Sequence, residues 1–398
     1  MWRELAPIGR DPAGGGYRRH AWTGADTDCR AWFRAQAETR GLAYETDRNG
    51  NQWAWLGDPA AGDAVVTGSH LDSVPDGGAY DGPLGVVSAF AALDEIRRRG
   101  AEFTRPFAVV NFGDEEGARF GLACVGSRLA AGQLTREAAY ALTDADGITL
   151  PEAMERAGHD PAAIGPDPGR LARIGAYVEL HIEQGRALDL SGDRVGLASA
   201  IWPHGRWRFD FTGEANHAGT TRIADRRDPM LGYAETVLAA RRAAEAAGAV
   251  ATFGKVAVEP NGVNAIPSLV RGWLDSRAAD PETLDAVVAA IETAARERAA
   301  RDGVGVTVVR ESFTPVVEFG HALRDELDRL LGGSVPVLGT GAGHDAGILS
   351  GAVPTAMLFV RNPTGVSHSP AESAAEDDCV AGVLALADIV EGLACATR

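Results

Sequence analysis

Histidine and carboxylate recur in this chain at the ends of short apolar runs. His70 and Asp72 follow residues 64–68, in Thr-Gly-Ser-His-Leu-Asp-Ser, and Asp81 stands in a glycine-rich loop at 76–85. Asp114, Glu115 and Glu116 close the run 107–112, and His181 closes 176–181 just ahead of Glu183 and Gln184. His368 comes soon after 355–360, in Ser-His-Ser-Pro-Ala-Glu. Imidazole and carboxylate together suit a borderline divalent cation such as zinc or manganese. One such histidine alone would more often be a satisfied structural group, and three adjacent acids alone more often a solvated turn. The apolar strand before the acids alters that balance, because Val-Val-Asn-Phe delivers them into an interior crevice where carboxylates without a cation are costly.

Such groups need elements to position them. Up to about residue 200, runs of Val, Ile and Leu alternate with helical stretches. Residues 28–40 and 84–99 read as helices, and 64–68, 107–112 and 176–181 as buried strands. That alternation predicts a mixed sheet covered by helices on both faces, an α/β fold. Ligands of such sheets collect outside the carboxyl ends of the strands, where every group above is expected. A second pattern runs from about 205 to 312. Segments 206–212, 252–258 and 269–276 alternate as half-exposed strands do, 229–247 and 281–301 read as helices, and 304–309 as a last strand. This order is the split βαβ arrangement. The expected architecture is a discontinuous α/β domain, 1–205 plus 313–398, with an inserted ferredoxin-like βαββαβ domain at 206–312. Strands at 335–338 and 355–360 and a helix at 376–394 resume the first pattern.

Charge excludes several partners. Lys and Arg number 38 against 55 Asp and Glu, a net charge of −17, with no basic run of five. Nucleic acid and anionic membranes are therefore not expected partners. Lys255 is the one lysine, so any Schiff-base chemistry would have to pass through it. Four cysteines without a CxxC spacing suggest a reduced, cytoplasmic setting, and residues 1–19 lack the apolar core of a secretory signal. No apolar stretch reaches the ~20 residues of a membrane helix, so a soluble protein is expected.

The motifs then become specific. Gly68-Ser-His70-Leu-Asp72, Tyr80-Asp81-Gly82, Asp114-Glu115-Glu116-Gly117, Glu179-Leu-His181-Ile-Glu-Gln184-Gly and Ser367-His368-Ser-Pro-Ala-Glu372 resemble the dinuclear metallohydrolases related to aminoacylase and carboxypeptidase. His-Ile-Glu-Gln-Gly, His217-Ala-Gly-Thr-Thr, Asn264-Ala-Ile-Pro and Gly341-Ala-Gly-His344-Asp345-Ala resemble the ureidohydrolase branch more narrowly. That branch comprises N-carbamoyl-L-amino acid hydrolases, β-ureidopropionases and allantoate amidohydrolases. The motifs span residues 68–372 in the family's order.

The resemblance implies two divalent ions per subunit, with zinc, manganese and cobalt as the candidates. Asp81 would bridge them, Glu116 and His368 would complete one ion, and His70 and His181 the other. It makes Glu115 the general base and later proton donor to the leaving nitrogen, and Asp72 the group that fixes His70. His217 would donate to the developing oxyanion, Asn264 and Arg277 would hold a substrate carboxylate, and Gln184 would contact the ureido group. His217 is expected to reach a neighbouring subunit's site, which implies a homodimer whose inserted domain serves dimerisation and substrate recognition.

Gly341–Ala346 also fits the loose form G-x-G-x-x-A. A dinucleotide site would need an acid ~20 residues onward, and position 361 is Arg, so His344 and Asp345 are read instead as supporting groups near the substrate site, His344 as a substrate-site residue. Arg361 and Gly347 would border the pocket, one adding a donor and the other room. A substrate with a second ureido group could use both. Allantoate is thus expected first, with N-carbamoyl-L-amino acid or β-ureidopropionate hydrolysis as the alternative. An aminoacylase or dipeptidase and an inactive binding homologue rank below these, and a serine hydrolase lacks any G-x-S-x-G.

Overall fold

A computed structural model describes residues 1–396. The chain divides into two compact units, Met1–Ser199 with the segment from Phe319 onward, and Ala200–Glu318.

The first unit is an α/β domain with helices on both faces of a mixed sheet. Its strands are β1 (Ala43–Thr46), β2 (Gln52–Leu56), β3 (Ala64–His70), β4 (Phe107–Phe112), β5 (Ile174–Ile182) and β6 (Val195–Ile201). After the second unit's β7 (His204–Thr212), β8 (Asn216–His217), β9 (Val250–Glu259), β10 (Ala265–Ile266), β11 (Leu269–Arg277), β12 (Gly305–Thr314) and β13 (Val317–Glu318) come β14 (Val337–Thr340) and β15 (Thr355–Val360). Spatial order is β1-β2-β4-β3-β5-β15-β6-β13, with β14 also on β6. Its centre, β4-β3-β5-β15, is parallel, and the flanking pairs β1–β2, β2–β4, β15–β6 and β6–β13 are antiparallel. Every residue of β3, β4 and β15 is buried, as strands covered on both faces must be.

Two helices close one main core. Pro83–Arg99 starts with Pro at its first position, ends on Gly100 at φ 72°, and carries Arg97, Arg98 and Arg99 in its last turn. It buries Leu84, Phe90, Leu93 and Ile96 in the cluster that also takes Leu386, Ile389 and Val390 from Glu376–Ala394. At ~1.5–3 kcal/mol for each such fully buried side chain, this packing holds the parallel strands in place.

In the second unit, β7, β9, β11 and β12 form a four-stranded antiparallel sheet of order β12-β7-β11-β9. Helices Pro229–Ala247 and Pro281–Asp302 follow β7 and β11, each capped by an aspartate, Asp228 or Asp280, each opening on Pro and ending at a left-handed glycine. Phe209, Phe211, Val270 and Leu274 pack with Leu284, Val287 and Ile291 beneath them. A short pair, β8 with β10, stands apart from this sheet.

Several elements differ from the sequence expectation. The helix expected at 28–40 is Gly24–Thr39, because Asp26 turns inward and accepts from Trp22 N at 2.8 Å, an early start no apolar periodicity announces. The strand expected at 304–309 runs to Thr314 as an edge strand whose outer half, Arg310–Phe313, is exposed. The strand expected at 335–338 is Val337–Thr340. β1, β2 and β6 were not expected. No described helix is long and apolar enough to cross a membrane.

Candidate dinuclear metal centre

Four adjacent parallel strands deliver the site. His70 ends β3 opposite Phe112, the last residue of β4, and His181 pairs with Phe359 near the end of β15. Asp114–Glu116 follow β4 after one residue, so the acids and both imidazoles emerge at one edge of the sheet, as α/β geometry requires.

Asp81 is the common member of two clusters. Its Oδ1 lies 3.2 Å from His181 Nε2 and 3.8 Å from His70 Nε2, and its Oδ2 lies 3.3 Å from His368 Nε2. His368 Nε2 is also 3.7 Å from Glu116 Oε2. Candidate ligand atoms of His70, Asp81 and His181 fall within 4.8 Å of one another, and so do those of Asp81, Glu116 and His368. The donor set fits two divalent cations sharing one carboxylate. His181 Nε2, fully buried, has no hydrogen-bond partner, so a lone pair faces the cluster, where a cation would satisfy it. Its Nδ1 lies 2.9 Å from the carbonyl of Ile182, and His70 Nδ1 lies 3.2 Å from that of Asp72. A proton on each Nδ1 donates to the carbonyl, which leaves both Nε2 atoms as acceptors for a metal.

Charge and burial oppose each other here. Burial raises the Asp81 carboxyl, yet the facing imidazoles of His181 and His368 outweigh it and hold the group well below the carboxylate range. Burial pushes Glu115 well up, partly offset by His70, and burial together with Asp81 pushes Glu116 up to about 7. Glu115 is buried, with Oε2 3.7 Å from His70 Nε2 and Cys124 Sγ 3.6 Å from its Oε1.

Asp72 clamps the acidic turn. Its Oδ1 accepts from Glu115 N at 3.2 Å and its Oδ2 from Glu116 N at 3.0 Å, while its Oδ1 also lies 3.5 Å from His70 Nδ1. One carboxylate thus ties the end of β3 to the turn after β4. Gly82 is needed for room as well as for its φ of 80°, since a Cβ there would sit 2.4 Å from His70 Cε1.

Other residues of the predicted site are placed as follows. Gln184 turns its amide N–H groups to Asp81 Oδ2 at 2.9 Å and Ser367 Oγ at 3.0 Å. His344 is buried against His181, ring centroids 4.4 Å apart, with neither nitrogen partnered, and burial holds it well below the usual imidazole value. Its ring also forms a third candidate cluster with Glu179 and His181. His217, Asn264 and Arg277 belong to the second unit. His217 Nδ1 accepts from Gly219 N at 2.9 Å, which leaves Nε2 as the donor, and Ala218 N bonds the Asn264 carbonyl at 2.9 Å, so Asn264, just ahead of β10, sits beside the β8–β10 pair that carries His217. Arg277 Nε donates to Asp275 Oδ1 at 2.8 Å.

Arg361 departs from its expected role. Its guanidinium is bidentate to Asp378, at 2.9 and 2.8 Å, in the first turn of Glu376–Ala394. The fork that was to meet substrate is occupied by a buried carboxylate. Arg361→Ala is expected to leave KM for a ureido acid unchanged and to lower unfolding free energy by about 1–3 kcal/mol, since among the described residues Asp378 then keeps Arg194 at 3.7 Å as its cation. Urea titration beside steady-state kinetics checks this, and a tenfold rise in KM would return Arg361 to the pocket.

Sequence reasoning missed Glu179, Ser127 and Glu372 as members of the site's frame, while it named Asp345 as a supporting group. Glu179 accepts from Ser69 Oγ at 2.7 Å and Ala346 N at 2.9 Å, and Ser127 Oγ donates to Asp345. A carboxylate inside the otherwise apolar run Ala176–Leu180 was the available signal for Glu179.

The chain matches the model of peptidase family M20/M25/M40 over residues 66–392, and it belongs to that family. It is a metal-dependent hydrolase acting on carbon–nitrogen bonds other than peptide bonds, in the ureidohydrolase branch. Among its relatives, the N-carbamoyl-L-amino acid amidohydrolase of Geobacillus stearothermophilus is 37% identical, the match covering 99% of this chain and 98% of that one. Allantoate amidohydrolase of Escherichia coli is 32% identical over 98% and 96% of the two chains. The crystal structure of a hydantoinase/carbamoylase family amidase from Burkholderia multivorans superposes with a TM-score of 0.89 at 32% identity, covering 100% of this chain and 97% of that one.

Proposed function

We propose that the protein hydrolyses the ureido carbon–nitrogen bond of N-carbamoyl-L-amino acids, with allantoate as the second substrate reading. The observation that carries the reaction is the pair of ligand clusters sharing Asp81, with the unligated Glu115 carboxyl beside them. His70, Asp81 and His181 would hold one divalent ion, and Asp81, Glu116 and His368 the other. Two cations so bound would polarise the ureido carbonyl and lower the pKa of an attacking water. Glu115 takes the proton from that water and returns it to the leaving nitrogen, a role suited to a buried carboxyl that stands beside the clusters and joins neither. Asp72 holds Glu115 and Glu116 by their amides, which fixes the main chain that presents the base.

The similarity to the Geobacillus enzyme supports the carbamoyl substrate. The pocket argument for allantoate used Arg361 and Gly347, and with Arg361 on Asp378 its charged half is gone. The second unit we assign to a ferredoxin-like lid that recognises substrate and pairs two subunits. In that assignment His217 donates to the oxyanion, and Asn264 and Arg277 hold the carboxylate. Support comes from the exposed edge strands β9 and β12, where Val250, Val256, Val309 and Phe313 are uncovered.

Chelation followed by zinc, manganese or cobalt is the test, with ammonia release read on N-carbamoyl amino acids and allantoate, and free amine on N-acetyl amino acids. Turnover of carbamoyl substrates should vanish with chelator and return with metal. Brisk N-acetyl turnover beside silence on both ureido classes would overturn the reading, and allantoate alone would reverse the substrate order.

A further inference from the structure

Glu372 lies outside both ligand clusters, yet it touches the backbone that carries their shared member. Its Oε1 accepts from Tyr80 N at 2.8 Å and from Asp81 N at 3.0 Å. Its Oε2 lies 3.3 Å from Ser367 Oγ, which in turn lies 3.2 Å from Asp81 Oδ2. The one hydroxyl proton of Ser367 serves either carboxylate. Among the described residues no ion pair engages Glu372, which is 5% exposed, so main-chain amides and that hydroxyl balance its charge. Between Ser367 and Glu372 the chain makes a tight reversal. Glu372 N bonds the Ser369 carbonyl at 3.0 Å, and His368 sits at φ 54°.

A second observation comes from the opposite loop. A Cβ on Gly78 would lie 2.4 Å from Cδ and Oε1 of Glu372. The φ of Gly78 is not in the left-handed region, so this glycine is required for space. The loop 76–82 is therefore shaped around a carboxylate contributed by residue 372.

We propose that Glu372 is a positioning residue that fastens the Asp81 loop to the His368 loop and so preorganises the two groups for metal binding. The proposal rests on the assignment of Asp81 and His368 as ligands. Its action is that of a hydrogen-bond acceptor. A glutamine keeps a carbonyl oxygen for the amides of Tyr80 and Asp81 and can turn its NH2 to the Ser367 oxygen, whereas alanine removes both contacts. The metal frame should then depend on the acceptor atom and not on the charge.

The test compares Glu372→Ala, Glu372→Gln, Glu372→Gly, Gly78→Ala and the double variant Gly78→Ala/Glu372→Gly. Zinc and cobalt dissociation constants are measured by chelator competition, cobalt absorption spectra are recorded, and kcat and KM are determined on a carbamoyl amino acid. Glu372→Ala and Gly78→Ala should each weaken metal binding by about 10–100-fold, the usual cost of losing an outer partner of a metal ligand. Both should alter the cobalt spectrum and lower kcat while KM stays within about twofold, the split expected when a change spares substrate binding. Glu372→Gln should stay within about fivefold of wild type, as retention of the accepting oxygen implies. Gly78→Ala should cost little more in the Glu372→Gly background, which also removes the residue-372 Cβ that would lie 2.6 Å from the added one, because both then act through one contact. Should Glu372→Ala fail to fold, Gly78→Ala and Glu372→Gln still decide the matter. Unchanged metal binding in Gly78→Ala, a glutamine variant as damaged as the alanine one, or full additivity would each overturn the proposal. If Asp81→Asn binds two ions as tightly as wild type, the ligand assignment itself is wrong and the role of Glu372 falls with it.

Discussion

Glu115→Gln is expected to keep two metal ions per chain and to lose turnover by about 10²–10⁴-fold, the range general acid–base catalysis contributes. The substitution removes the proton acceptor and little else. Glutamine has nearly the volume of glutamate, and the main chain at 115 is held by Asp72 through an amide that every residue except proline supplies. The Glu115 carboxyl belongs to neither ligand cluster, although its Oε2 is 3.7 Å from His70 Nε2. Elemental analysis beside kcat on a carbamoyl amino acid separates the outcomes. Loss of metal together with turnover would show that Glu115 and Glu116 have exchanged roles.

Asp81→Asn should do the reverse, emptying the site before it alters any chemistry. Each oxygen of Asp81 faces a different imidazole, Oδ1 towards His181 and Oδ2 towards His368. An amide can offer an oxygen to only one side and must aim N–H groups, which donate and cannot ligate, at the other. Metal affinity should fall by more than the ~10–100-fold that loss of an outer partner costs. Equilibrium dialysis against zinc and cobalt would measure it. Two ions retained with kcat within tenfold of wild type would remove Asp81 from the bridging position.

The strands that build the centre could be read from the sequence because each is buried on both faces. Continuous apolar runs such as Phe107–Phe112 leave no ambiguity about burial, and their carboxyl ends indicate where the chemistry gathers. Edges were harder. Arg310–Phe313 of β12 is exposed ladder, which carries hydrogen bonds but no hydrophobic pattern. In β2 the two tryptophans alternate with Gln52 and Ala54 in a five-residue run in which all but Leu56 is buried, too short for periodicity to separate strand from loop. Within the site, residue types marked Asp81 and the histidines, whereas the partners of Arg361 and Glu372 depend on contacts across 17 and about 290 residues of chain. Its charge and its place shortly before His368 assigned Arg361 to substrate, and the fold pairs it with Asp378.

Asp72 grips amides, and that has a consequence beyond stability. Because the clamp reads main chain, the side chains at 115 and 116 are free to vary without loosening the turn that presents them. Architecture and reactivity are inherited separately at these two positions. A lineage could exchange the base, or a ligand and with it the preferred ion, by single codon changes, and each intermediate would still fold around the same frame.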